Sequence, residues 1–125
     1  MKIIDAHLHL FPESEPRFEE MAQAVGHHNS TAHLRQIYGE LGIVHGVVMG
    51  NRSLRAADHD YPEDLFHYCV GLDSALMKRG AASIPHLAER IEENLARRSC
   101  CGVKLYPGYN KTWLWDELYE PVYAL

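Results

Sequence analysis

The sequence predicts an α/β fold built from β/α units around a parallel sheet. Short runs of strand length alternate with stretches of helical period. The later runs are continuous in apolar character, as strands buried on both faces are. No repeat, low-complexity tract or linker divides the 125 residues, so residues 1–125 read as one piece.

The first strand covers residues 2–10 and alternates strictly from residue 5. Alternation puts Asp5, His7 and His9 on one face and Ala6, Leu8 and Leu10 on the other. Phe11-Pro12 ends it. Phe18, Met21, Ala22 and Val25 repeat at i, i+3, i+4, i+7 and predict a helix over 16–26. Ser30 or Thr31 caps a second helix, whose stripe is Leu34, Ile37, Tyr38 and Leu41 and whose stop is Gly42. Residues 43–49 form a second strand, and the polar stretch 51–64, holding Pro62, forms a loop. Residues 65–72 form a third strand ending at Asp73. The best helix follows: Ser83 caps it, Leu87, Ile91 and Leu95 make its stripe, and Glu93 pairs with Arg97 at i, i+4. Residues 100–106 form a fourth strand, stopped by Pro107-Gly108. Asp116 to Glu120 starts another helix with Pro121 in its first turn. Val122 to Leu125 continue it without a C-cap, so the sequence is expected to break off inside a fourth crossover helix, as a truncated gene or fragment would.

A hydrophobic share of 46% with 23% charged residues describes a soluble globular chain. The net charge of −5, without a basic stripe, argues against nucleic acid as a partner. Asp5, His7 and His9 interrupt the apolar N-terminus, which excludes a signal core or a membrane span there. Three cysteines, two of them adjacent, make a poor disulfide framework, so reduced thiols and a cytoplasmic location are expected. Cys69 and Cys101, on neighbouring strands, read as small buried hydrophobes.

Nine histidines are many for this length, but only one pair has a spacing that chemistry needs. Residues i and i+2 of a strand point the same way, with Cα atoms about 6.5–7 Å apart. Two imidazoles so placed can converge on one ion. His7 and His9 stand where the first strand ends, and in a barrel that end opens into the active-site mouth. Asp5, one step deeper, is a candidate to hold a ligand imidazole by its second nitrogen or to line the barrel. The other histidines read more plainly. His27 and His28 are solvated in a polar loop, or contact substrate where that loop lies near the mouth; His45 and His67 are satisfied core residues, and His33, His59 and His86 are surface positions at caps or loops.

Residues 4–12, IDAHLHLFP, closely resemble the opening strand of amidohydrolase-superfamily enzymes, especially the family-2 branch. Gly102 to Gly108 are similar to that branch's fourth strand, and Glu120-Pro121-Val122-Tyr123 to the helix after it. The resemblance implies the first four units of a (β/α)8 TIM barrel, an N-terminal half. It implies that His7 and His9 are the first two ligands of a divalent metal, zinc above all, with Mn2+ or Fe2+ as other ions. Such a metal lowers the pKa of a water that attacks a carbonyl-type substrate. The catalytic residues and remaining ligands are implied beyond Leu125, so the isolated chain is expected to be inactive while its parent is a hydrolase. Lys104 resembles the lysine that bridges two metals in binuclear members; the other reading is a lysine that pairs with an acid or with a substrate carboxylate. Phe11, Tyr106 and Trp113 are substrate-contact candidates, for a small carbonyl or carboxylate compound. Trp113, Trp115 and Tyr109 form an aromatic loop that serves as a platform or as a rim cover.

Alternatives remain within this frame. Non-oxidative decarboxylation is known in the same family. PHP-type phosphoesterases also open with H-x-H, but they add acidic and histidine ligands soon afterwards, and no such cluster follows Phe11. An inactive half-barrel would leave strand edges and core side chains open. Homo-oligomerisation is therefore expected, with two halves meeting so that their H-x-H pairs face one lumen.

Overall fold

The computed structural model describes residues 1–50, 53–72 and 78–125. Four strands pair in the order β1-β2-β3-β4, all parallel: β1 Ile3–Leu8, β2 Ile43–Met49, β3 Phe66–Gly71 and β4 Cys100–Lys104. Between them run α1 Pro16–Gln23, α2 Thr31–Leu41 and α3 Ile84–Leu95. Two one-turn helices, α4 Pro107–Asn110 and α5 Glu120–Tyr123, follow β4. The sheet is open, with β1 and β4 at its edges. Asn51 and Arg52 of the expected loop, and Asp73 at the expected end of the third strand, lie outside the described residues. Among the described residues no helix is long and apolar enough to cross a membrane.

Local signals explain α2 well. The Ser30 hydroxyl accepts from the His33 amide at 3.1 Å, and Gly42 closes the helix in the left-handed region at φ 71°. One face of the sheet carries the core. Val48, Phe66, Tyr68 and Val70 pack there under Tyr38 of α2, Leu87 and Ile91 of α3, and Tyr119 with Val122 near the C-terminus. Asn94, fully buried on α3, ties these layers together. Its Oδ1 accepts from the Tyr68 hydroxyl at 2.9 Å, and its Nδ2 donates to the carbonyls of Leu54 and Arg90 at 2.8 Å each.

The other face carries none of the core helices among the described residues. Ile4, His45, Val47, Met49, His67 and Cys69 share it by register; Ile4 is 62% exposed, His45, Val47, His67 and Cys69 are half-buried, and Met49 is buried.

Several expectations are corrected. The strict alternation of the first strand is broken by a bulge: Asp5 pairs with Gly46 and Leu8 with Val48, three steps on β1 against two on β2. Asp5 therefore shares the helix-side face with Leu8, while His7 and His9 flank Leu8 on the opposite side. Gly46 makes this approach possible, because a Cβ there would lie 2.9 Å from both Leu8 Cδ2 and Tyr38 Oη. Ser83 stands at the N-cap of α3 as expected, but its side chain makes no cap hydrogen bond; the buried hydroxyl donates to the Gly80 carbonyl at 2.7 Å instead. Arg97 turns inward to the Ala56 carbonyl and the Tyr68 ring, and Glu93 pairs with Arg90 at 2.8 Å instead. The strand over 100–106 is shorter, because Pro107 sits in the first turn of α4. His59 is not a surface residue: it is buried, stacked on Tyr68 at 4.6 Å and 16°, and its Nε2–H donates to the Ser53 carbonyl at 2.9 Å. Cys101 is exposed and Cys69 half-buried, so neither is a fully buried hydrophobe.

Candidate metal centre

His7 is the last residue but one of β1, and His9 follows just past its final residue, Leu8. Their ring centroids lie 5.3 Å apart with the planes at 73°. With metal–nitrogen bonds of about 2 Å, that separation suits two imidazoles meeting one ion at a roughly tetrahedral angle. Both side chains are exposed. The donor pair fits half of a zinc shell. Among the described residues no group of three or more His, Cys, Asp or Glu is arranged to hold an ion, so the other half is not in this set.

Asp5 holds the strand rather than a histidine ring. Its Oδ1 accepts from the His7 backbone amide at 3.2 Å and its Oδ2 from the Tyr38 hydroxyl at 2.9 Å. Burial, and then the Asp5 carboxylate, push the Tyr38 phenol well above its ordinary value. The hydroxyl therefore stays protonated and donates.

His9 opens onto a hollow of about 490 Å³ whose walls include Phe11, Glu13, His27, His28 and His33. Two carboxylates on this side, Glu13 in the wall and Glu19 behind it, are engaged. Glu13 accepts from the Thr31 amide at 2.6 Å, and Glu19, behind the wall, accepts from His28 Nδ1 and the Asn29 amide, each at 2.7 Å. His28, then that amide, hold Glu19 down to about 2. His27 Nδ1 and His33 Nε2 share one hydrogen bond at 3.3 Å. Spacing along the chain does not bring these three histidines together; position does, because the loop after β1 and the first turn of α2 both sit at the C-terminal end of the first strand.

The remaining candidates disperse. Phe11 stacks on Phe18 at 4.5 Å and lines the hollow with His9. Lys104 lies three strands from β1, with Nζ 4.5 Å from the Tyr106 ring centroid. Trp113 stacks on Trp115 at 5.0 Å and 8°, beside a separate hollow of about 530 Å³ that shares no lining residue with that of His9. His45 and His67 satisfy each other across β2 and β3, Nε2 to Nδ1 at 2.5 Å, on the face opposite the core helices rather than in the core. Burial first, and then His67, lower the pKa of His45.

No family model, curated protein or solved structure matches this chain. Its established description is therefore architectural: an α/β domain with an open, four-stranded, all-parallel sheet.

Proposed function

We propose that His7 and His9 are the first two ligands of a divalent-metal centre in a hydrolase of the amidohydrolase type. The ion is zinc, with Mn2+ or Fe2+ as substitutes, and the substrate is a small carbonyl or carboxylate compound. The observation that carries the reading is the imidazole pair, 5.3 Å between centroids, at the C-terminal end of β1 in a parallel sheet. When bound, the ion supplies Lewis acidity and a more acidic water.

Topology supports the barrel behind this reading. A doubly wound sheet reverses its strand order and carries helices on both faces. Here the order runs β1-β2-β3-β4 without reversal, and α2, α3 and the C-terminal turns all pack on one face. The opposite face is then the lumen side of the first four units of a (β/α)8 barrel. Asp5 and Tyr38 hold the strand that presents His7, and Phe11, backed by Phe18, forms an apolar wall beside His9.

Metal analysis tests the reading. The purified chain, loaded with Zn2+ and desalted, retains metal in fixed proportion, and His7→Ala and His9→Ala each lose it. Equal metal retention in wild type and in the double variant overturns it.

A further inference from the structure

The thiols of Cys69 and Cys101 lie 3.8 Å apart on neighbouring strands. A bulge in β4 arranges this. Tyr68 pairs with Cys100, but Cys69 pairs with Gly102, so Cys101 is the inserted residue and both it and Gly102 stand against Cys69. Gly102 leaves the space open, since even a Cβ there would lie 3.6 Å from Cys69 Sγ. Cys100 goes elsewhere: it packs against the core, and its thiol donates to the Gly102 carbonyl at 3.6 Å. Cys101 is exposed and Cys69 half-buried.

The backbone spacing suits a cross-link. Neighbouring strands lie about 4.7–4.9 Å apart, inside the span of about 4.4–6.8 Å between Cα atoms that disulfides bridge. The sulfurs need only close from 3.8 Å to about 2.05 Å, which side-chain rotation supplies. Among the described residues no third His, Cys, Asp or Glu joins the pair as a metal ligand. The arrangement is thus built for two-thiol chemistry rather than for a four-ligand ion.

We propose that Cys69 and Cys101 form a reversible dithiol–disulfide site, oxidised by a low-molecular-weight disulfide, RSSR. Burial first, and then Cys101, push the Cys69 thiol up to about 11, so it is protonated at neutral pH. Exposed Cys101 therefore attacks first, giving up its proton as it does so. A Cys101–SR bond forms, the RS–SR bond breaks, and the departing RS⁻ takes up the proton that Cys101 had released. Cys69 then attacks the Cys101 sulfur. The Cys69–Cys101 bond forms, the Cys101–SR bond breaks, and the Cys69 proton goes to the second RS⁻. Two protein sulfurs lose two electrons together, one RSSR gains them, and two RSH are released.

The test uses the full chain, reduced, in EDTA, then treated with excess oxidised glutathione at neutral pH. The Cys100→Ser variant makes the linked peptide unambiguous. The expected result is a species that runs as a single chain under denaturing, non-reducing conditions, in which both remaining thiols resist alkylation, a non-reduced digest joins the peptides of residues 69 and 101, and added reductant restores both thiols. In the unaltered chain, one of the three cysteines stays open to alkylation, and tandem fragmentation assigns it to Cys100; this arm serves if Cys100→Ser fails to fold. Cys69→Ser halts the reaction at a glutathione adduct on Cys101. A Cys100–Cys101 or Cys69–Cys100 link, a lasting adduct with Cys69 free, or thiols that remain alkylatable overturn the proposal.

Discussion

Tyr38→Phe removes one hydroxyl and leaves the ring in place, which isolates how β1 is held against α2. Tyr38 is 3% exposed, and its ring meets Phe66 edge-on at 6.3 Å. Those contacts survive the substitution. What is lost is the bond to Asp5 Oδ2 at 2.9 Å. A hydrogen bond to a charged group contributes about 1.5–3 kcal/mol when removed from a dry site. Asp5 is only half-buried, and water replaces part of the loss, so the expected cost is about 1–1.5 kcal/mol. Asp5→Ala costs more, about 2–3 kcal/mol, because it strands a buried phenol and also frees the His7 amide. The double variant should fall no further than Asp5→Ala alone, since the ring then needs no acceptor. The coupling is therefore about 1 kcal/mol. Urea unfolding of the four proteins measures it, provided the slopes match. Two single losses that simply add, or a costless Tyr38→Phe, would mean that the Asp5–Tyr38 bond does not hold β1 against α2. Zinc titration of the same set adds a functional readout: Asp5→Ala is expected to weaken binding because the carboxylate fixes the backbone of His7, a proposed ligand.

Three further outcomes are expected. Asn94→Ala costs about 2–4 kcal/mol, because it strands both the Tyr68 hydroxyl and the Leu54 carbonyl in the core; a urea midpoint within error of wild type contradicts the network. Alkaline pH destabilises the fold. Burial pushes Tyr68 up to about 12 from 10.0, Cys69 up to about 11 from 9.0, and raises Tyr38 and Tyr61 as well. Each raised group contributes fully below its unfolded value, and that contribution is lost as pH rises through the folded one. The urea midpoint should therefore decline from about pH 9 upward, and a flat profile to about pH 11 contradicts the buried assignments. The third outcome is self-association: with β1 and β4 as open edges and Ile4 62% exposed on the face opposite the core helices, the chain is expected to sediment as a dimer or larger. A stable monomer at micromolar concentration sinks that expectation.

Where structure depends on residues within a turn of one another, the sequence was readable. The Ser30 cap, the Gly42 stop and the stripe that places Tyr38 in α2 are such cases. The strands were legible from their apolar runs, and their parallel pairing from the helices between them. The H-x-H pair was legible too, since an i, i+2 spacing fixes a shared direction wherever the strand is regular. Arg97 misled because it found a partner remote in sequence, the Ala56 carbonyl, and Ser83 because its buried hydroxyl turns back to the Gly80 carbonyl instead of forward to the helix amides. His59 misled for a similar reason: polarity and a loop position suggested solvent, but Tyr68 offered a flat apolar surface and Ser53 an acceptor.

Periodicity and spacing along one chain are enough for the α/β class, the order of strands and helices, and the two imidazoles that stand together at the end of β1. Which face each residue occupies where a strand is bulged depends instead on how the strands pair in three dimensions. The extra residue between Asp5 and Leu8 sends Asp5 to Tyr38 and leaves His7 and His9 on the other side. The insertion of Cys101 brings two thiols together and sets Lys104 beside Gly71. Register is a property of two strands, and a one-residue slip inverts every side chain after it. The hollow beside His9 is tertiary for the same reason, because residues remote in sequence assemble its wall only after the first two β/α units pack.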